Sequence, residues 1–305
     1  MDDFARISRR TALRAWAGAL TAGLALGTAR AAQPNWPDLS LIDMQLPGSR
    51  RLGRRAITLV PNHAATDSKW PVLLLLHGLG ETGNERDGVH AWLERYGLGT
   101  SFHRLLNPPV QQGIKRQRFL SDERAAQINS DLSTHRFQGM ILVCPYTPNV
   151  YRMNTNRALD EYAAWLGDVV LPEVRKRTPA SPEPRHAGIS GCSLGGFVSY
   201  QVFLRRPELF FSCGGVQAAI GNGSARSYAA KFEQVVRAQG LRRFHIETSS
   251  GDPYQKANTQ LARALQDRGL DATLCVPPGP HNQPWLQEVG TLEMLLWHDR
   301  QLRSG

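Results

Sequence analysis

The sequence has no apolar run approaching the roughly 20 residues that a membrane-spanning helix needs. Cysteine is scarce, with only Cys144, Cys192, Cys213 and Cys275 in 305 residues. None of them shows the close paired spacing of a zinc site, so no metal centre and no cofactor is expected. All four fall in or beside expected core strands or a sharp turn, and they read as small, buried, reduced side chains. In an oxidising compartment a Cys213–Cys275 or Cys144–Cys192 bridge is the other option. No internal repeat or low-complexity tract is present, which excludes solenoid architectures. The net charge of +10 is dispersed, with its densest patches at Lys115-Arg116-Gln117-Arg118 and Arg175-Lys176-Arg177. Without stacking aromatics between the cations, a nucleic-acid partner is not expected. The excess reads as a solvated surface, or as attraction to anionic envelope polymers or lipids. With 41% hydrophobic and 20% charged residues, the composition is that of a globular protein.

The first 31 residues carry the marks of an export signal. Ser8-Arg9-Arg10-Thr11 holds a twin arginine, Trp16 to Thr28 is a short apolar stretch, and Ala29-Arg30-Ala31 offers a small-x-small cleavage site. The expectation is a bacterial twin-arginine route, with the Tat translocase as transient partner and a periplasmic or secreted product. No stable membrane insertion is expected after cleavage. Removing residues 1–31 takes away five Arg and two Asp, so +10 becomes +7. Residues 32–305 are then long enough for one domain around a single core.

What is present is a constellation around one serine. Gly191-Cys192-Ser193-Leu194-Gly195-Gly196 follows an apolar run (186–190) and precedes helical text (194–205). A serine hydroxyl is a weak nucleophile, and a sharp strand-to-helix turn presents it to a base and to a substrate. Glycine is needed where such a turn brings backbone against backbone, and the new helix aims its N-terminal amides at the site.

The rest of the chain alternates between strand and helix. Strands are expected at 55–61, 72–76, 140–144, 186–190, 210–216, 244–248 and 272–276. Helices are expected at 89–106, 157–176, 194–205, 225–239, 255–268 and 284–300. Residues 32–53 read as an irregular lead-in. The continuous apolar run Val72 to Leu76 is that of a strand buried on both faces. The alternation predicts a parallel sheet with helices on both faces.

In that frame, the loops after two late strands carry the partners a reactive serine needs. Asp252 follows the strand 244–248, and His281 follows the strand 272–276. Both would lie at the carboxyl edge of the sheet, where open α/β sheets place their sites. His281 would trade the proton of Ser193, and Asp252 would orient the imidazole. Asp267 and Asp271 are weaker acid candidates, Glu247 lies within its strand, and neither His245 nor His298 is placed to act as base. A tetrahedral intermediate also needs amide donors. The amide of Leu194, next after the serine, would supply one. Leu79 in His77-Gly78-Leu79-Gly80, or Gly80 itself, would supply the other. His77 is expected to brace that loop.

These residues resemble the α/β-hydrolase superfamily. More narrowly, the chain is similar to the esterase family that includes esterase D, feruloyl esterases and enterochelin-esterase-like proteins. The matching pieces are His77-Gly78-Leu79-Gly80, the turn at Gly191 to Gly196, Gly251-Asp252, and Gly279-Pro280-His281 with Trp285 shortly after. They span roughly residues 54–300. The resemblance implies an α/β-hydrolase fold with an insert (81–139) between the third strand and the next. It also implies a serine esterase acting on a small-molecule or polymer ester. Polyester depolymerases and prolyl-peptidase-like hydrolases share a similar frame. A peptidase, an acyltransferase or a non-catalytic binding protein would use the same fold. Cys192 inside the turn departs from the family pattern, and the insert matches no known segment. The insert is expected either to form a lid or wall lined by Trp92, Tyr96 and Phe102, or to pack those rings onto the sheet. Gly80, Tyr146, Tyr254 and Trp285 follow strand ends and are expected to touch substrate.

Overall fold

A computed structural model describes residues 36–65, 68–111 and 117–303. The expected export signal lies outside the described residues, as do Lys115 and Arg116. Eight strands form one sheet in the order β1-β2-β4-β3-β5-β6-β7-β8. They are β1 (Leu39–Ser49), β2 (Gly53–Pro61), β3 (Val72–Leu76), β4 (Ile141–Pro145), β5 (Ala187–Gly191), β6 (Ser212–Val216), β7 (Arg243–Glu247) and β8 (Asp271–Cys275). The β1–β2 and β2–β4 pairs are antiparallel, and the rest are parallel. Expected and observed strands agree to within a residue or two, except at the start. The lead-in expected to be irregular contains β1, a long edge strand that buries Leu39, Met44 and Leu46. Its apolar alternation is interrupted by Pro47 and obscured by flanking polar residues, and only the pairing with β2 makes it a strand.

Successive side chains of β3 point to opposite faces. Val72, Leu74 and Leu76 join one core, and Leu73 and Leu75 the other. The first face is covered by α4 (Thr155–Trp165), α5 (Leu171–Arg177), α6 (Leu194–Arg205), α7 (Ala225–Gln239) and α8 (Gln255–Gln266). The second face is covered by α1 (Glu85–Glu94), α2 (Leu98–Leu106), α3 (Asp122–Thr134) and the last helix, α9 (Thr291–Arg303). Helix α9 is entered through Gln283–Trp285 and a π turn at Leu286–Gly290.

The insert is therefore half of a packed layer. Trp92 and Phe102, offered as pocket-lining rings, are wholly buried in the second core. The helix expected at 89–106 is broken at Gly97, whose φ of 74° starts a new helix at Leu98. A Cβ there would also lie 2.9 Å from the Cα of Gln287. The polar stretch after residue 120 is helix α3, whose N-terminus is capped by the Ser121 hydroxyl accepting from the amide of Arg124. Its buried stripe is only Ala125, Ile128 and Leu132, too sparse to stand out in sequence. All four cysteines are free thiols, so neither bridge forms. No helix among the described residues is long and apolar enough to cross a membrane.

Candidate active site

Ser193 sits at the turn from β5 into α6 with φ 54° and ψ −116°. This is a sparsely populated conformation for a residue with a Cβ, and holding it costs on the order of 1–3 kcal/mol. The ends of β3 and β6, and the loop after β6, hold it. The Cys192 amide donates to Leu76, the Ser193 amide to Val216, and the Ser193 carbonyl accepts from Ala219. The glycines are a matter of space. A Cβ on Gly191 would stand 2.4 Å from the Gly195 carbonyl, and one on Gly195 would stand 2.1 Å from the Leu76 carbonyl oxygen.

Asp252 and His281 are brought together by two loops that hydrogen-bond along their length. Gly251 donates to Gly279, Ser250 donates to Pro277, and the Gly279 amide donates to the Ser250 hydroxyl. His281 Nδ1 lies 2.9 Å from Asp252 Oδ1. A carboxylate oxygen only accepts, so Nδ1 carries the hydrogen and Nε2 is left with a lone pair. Asp252 is itself held by the Thr248 hydroxyl at 2.6 Å on Oδ2 and by the Tyr254 amide at 3.0 Å on Oδ1. Ser193 and His281 line a common cavity of about 20 Å³ with Gln217, Tyr96 and Gln283. That is room for roughly one water molecule.

The amides of Leu79 and Leu194 donate to no acceptor among the described residues. Their setting explains how Leu79 is aimed. His77 is fully buried, its Nδ1 donates to the Gly78 carbonyl at 2.9 Å, and its Nε2 accepts from the Thr147 amide at 2.8 Å. In a trans peptide the C=O and the following N–H point in opposite directions. Anchoring the Gly78 oxygen therefore turns the Leu79 N–H the other way. Burial pushes the His77 pKa down to about 4, with the Gly78 hydrogen bond opposing, so the ring is neutral in this role.

Tyr96 completes the brace. Its hydroxyl accepts from the Gly78 amide at 3.2 Å and donates to Glu81. Glu81 also accepts from Gln283 at 3.2 Å and faces Arg95 at 3.5 Å. Burial pushes its carboxyl upward, while Tyr96 and Arg95 pull it back. The Cys192 thiol beside the site is buried and pushed up by desolvation, so it stays protonated.

Of the expected contact residues, Gly80 is exposed in the short turn after β3. Tyr254 stands edge-on to His281 with ring centroids 5.7 Å apart. Two others are corrected. Trp285 is wholly buried, its Nε1 donating to Pro278 and its ring packed where a Cβ on Gly290 or Gly279 would fall. Tyr146 is turned inward, its hydroxyl donating to the Thr82 carbonyl and its ring 5.5 Å from that of His77. Both are supports of the loops that carry the site.

Gln217 and Thr248 were not singled out in the sequence. Gln217 has φ 48°, and its Nε2 donates to Ser249 at 2.7 Å and to the Pro280 carbonyl at 3.1 Å, tying the His281 loop to the end of β6. Its signal was its position, one polar residue past the apolar end of a strand at the site edge.

No protein-family model and no curated protein matches the chain. Solved structures do. A ferulic acid esterase is similar over 86% of this chain and 98% of its own, with a TM-score of 0.62 at 16% identity. S-formylglutathione hydrolase of Staphylococcus aureus covers 86% and 98%, at 0.56 and 13%. The enterobactin esterase of Shigella flexneri covers 87% of this chain and 60% of its own, at 0.57 and 17%. Sheet order, nucleophile-type elbow and these likenesses together define an α/β-hydrolase fold.

Proposed function

We propose that the protein is a serine hydrolase that cleaves a carboxylic ester through an acyl-enzyme on Ser193. The observation that carries this reading is that His281, hydrogen-bonded to Asp252, lines one small cavity together with the strained Ser193. His281 Nε2 takes the hydroxyl proton as Ser193 attacks the acyl carbon, and returns it to the departing alcohol. The amides of Leu79 and Leu194 receive the oxyanion, each contributing about 3–4 kcal/mol to the transition state. A water in the cavity, deprotonated by His281, then releases the acid. The esterases among the structural neighbours support an ester substrate, small or polymeric.

The test is labelling of the purified protein with a fluorophosphonate, mapped by mass spectrometry, beside Ser193→Ala and His281→Ala. The expected result is one adduct on Ser193, absent from both variants. A folded wild-type protein that takes no adduct would end the reading.

We also propose export by the twin-arginine route, supported by Arg9-Arg10 and the apolar stretch that follows. Replacing both arginines by lysine should leave the protein in the cytoplasm, as read by cell fractionation. An unchanged distribution would exclude that route.

A further inference from the structure

A groove of about 360 Å³ opens beside α6, one turn beyond the nucleophile. Organic ligands occupy pockets of about 300–1,000 Å³. Phe197, whose amide donates to the Ser193 carbonyl, forms part of its wall. Tyr151 lies over Phe197, with ring centroids 5.4 Å apart and planes at 24°. It remains 45% exposed, one of the few large apolar side chains so placed. Phe197 thus links the groove to the turn that carries Ser193.

The remaining lining mixes Leu159 and Leu204 with polar groups, and its charge is of one sign. Among the described residues, Lys231 and Arg205 are the charged ones in the lining. Arg205 is already engaged by Asp160 and Gln201, whereas Lys231 makes no ion pair among the described residues. Asn154 and Asn156 add amide groups at the rim. The Asn154 side-chain oxygen caps α4, which leaves its NH₂ to a ligand.

A flat exposed ring, amides and an unopposed ammonium suit a sugar ring carrying an acid. The aromatic face packs on the ring's C–H face, the amides meet its hydroxyls, and the cation meets a carboxylate. A neutral aryl group would leave the cation and the amides unused. We propose that this groove binds the non-reacting part of the substrate, and that this part is a carboxylate-bearing glycan. This rests on the ester-hydrolase reading and narrows it to esters carried by an acidic polysaccharide.

The experiment uses Ser193→Ala protein, which cannot turn over, titrated calorimetrically with polygalacturonate and, separately, with dextran. Polygalacturonate should bind, more weakly as salt rises, and dextran should bind at least about tenfold more weakly. Lys231→Glu and Tyr151→Ala should each weaken polygalacturonate about tenfold or more, with circular dichroism confirming their folding. Lys176→Glu, on the distant α5, should leave binding unchanged. Equal binding of the neutral polymer, no binding of either, or insensitivity to Lys231→Glu would each overturn the inference. The serine adduct separates the two ideas. Adduct without polygalacturonate binding leaves the hydrolase reading standing and removes the groove, and binding without adduct does the reverse.

Discussion

Two carboxyl groups five residues apart, Asp252 and Glu247, lie in opposite settings. Asp252 stands in the loop after β7 and receives the Thr248 hydroxyl, the Tyr254 amide and His281 Nδ1. Glu247, the last residue of β7, is equally hidden, yet neither of its oxygens has a hydrogen-bond partner. His245 Nδ1 is 3.9 Å away, too far for a hydrogen bond. Desolvation, with repulsion from Glu293, pushes Glu247 well above the usual carboxyl range, and the Arg124 contribution against it is smaller. His245 is pushed down to about 3 by the same burial, and His298 is lowered too. Beneath the site, then, polar groups are kept neutral by lack of water. At its rim they are furnished with donors. A loop is free to turn its amides and side-chain hydroxyls toward a carboxylate, whereas the amides of a strand are already engaged in the ladder.

The sharpest way to break this comparison is Asp252→Asn. With the hydrogen-bond donor and acceptor at Oδ1 confused, His281 is held in the wrong tautomer, and kcat on an aryl ester should fall about 10⁴-fold with folding retained. A loss below tenfold would mean that the pair does not orient the base. Thr248→Val, which removes one donor from Asp252, should lower kcat about tenfold and stability by about 1–2 kcal/mol. If kcat is unchanged while stability drops, the hydroxyl serves only the fold.

His77 extends the contrast to the other side of the serine. Its folded pKa is lowered to about 4 from an ordinary 6.5. As pH falls below 6.5, the unfolded chain binds the proton first, so stability drops until about pH 4. His77→Gln should remove about 3 kcal/mol of that decline, seen as a flatter urea-melt profile between pH 6.5 and 4. It should also reduce kcat, because the Gly78 carbonyl loses its anchor. The smallest expected effect belongs to Glu247→Gln. A carboxyl raised in the folded state keeps its proton while the unfolded chain releases it. Wild-type stability therefore falls as pH rises above about 4.5. The amide variant should lack that fall and be at least as stable as wild type at pH 8. A destabilised variant at pH 8 would show that Glu247 is charged and needed.

Much of the site was legible because it is written in local chemistry. The glycines around Ser193 announce a crowded turn at fixed spacing. The strands before Asp252 and His281 announce themselves by apolar alternation, and the parallel order sends both loops to one edge. Less legible were the residues whose role depends on distant backbone. Trp285 follows a strand end as Tyr254 does, but one ring fills the space above Gly290 and the other meets His281. Tyr146 faces inward because the Thr82 carbonyl, 64 residues away, accepts its hydroxyl. Gln217 braces a loop 63 residues away, a partner that its place after a strand end does not reveal.

By itself the sequence determined the turn at Ser193, the placing of Ser193, Asp252 and His281 after successive strands, and the two-faced parallel sheet. Each follows from contacts within a few residues or from a periodicity that tells buried from exposed. Tertiary structure alone decided that the insert is core, that Lys231 and Tyr151 share a groove, and that Glu247 has no donor. Those outcomes depend on which surfaces meet across the sheet, and on what a packed interior leaves each polar atom to bond with.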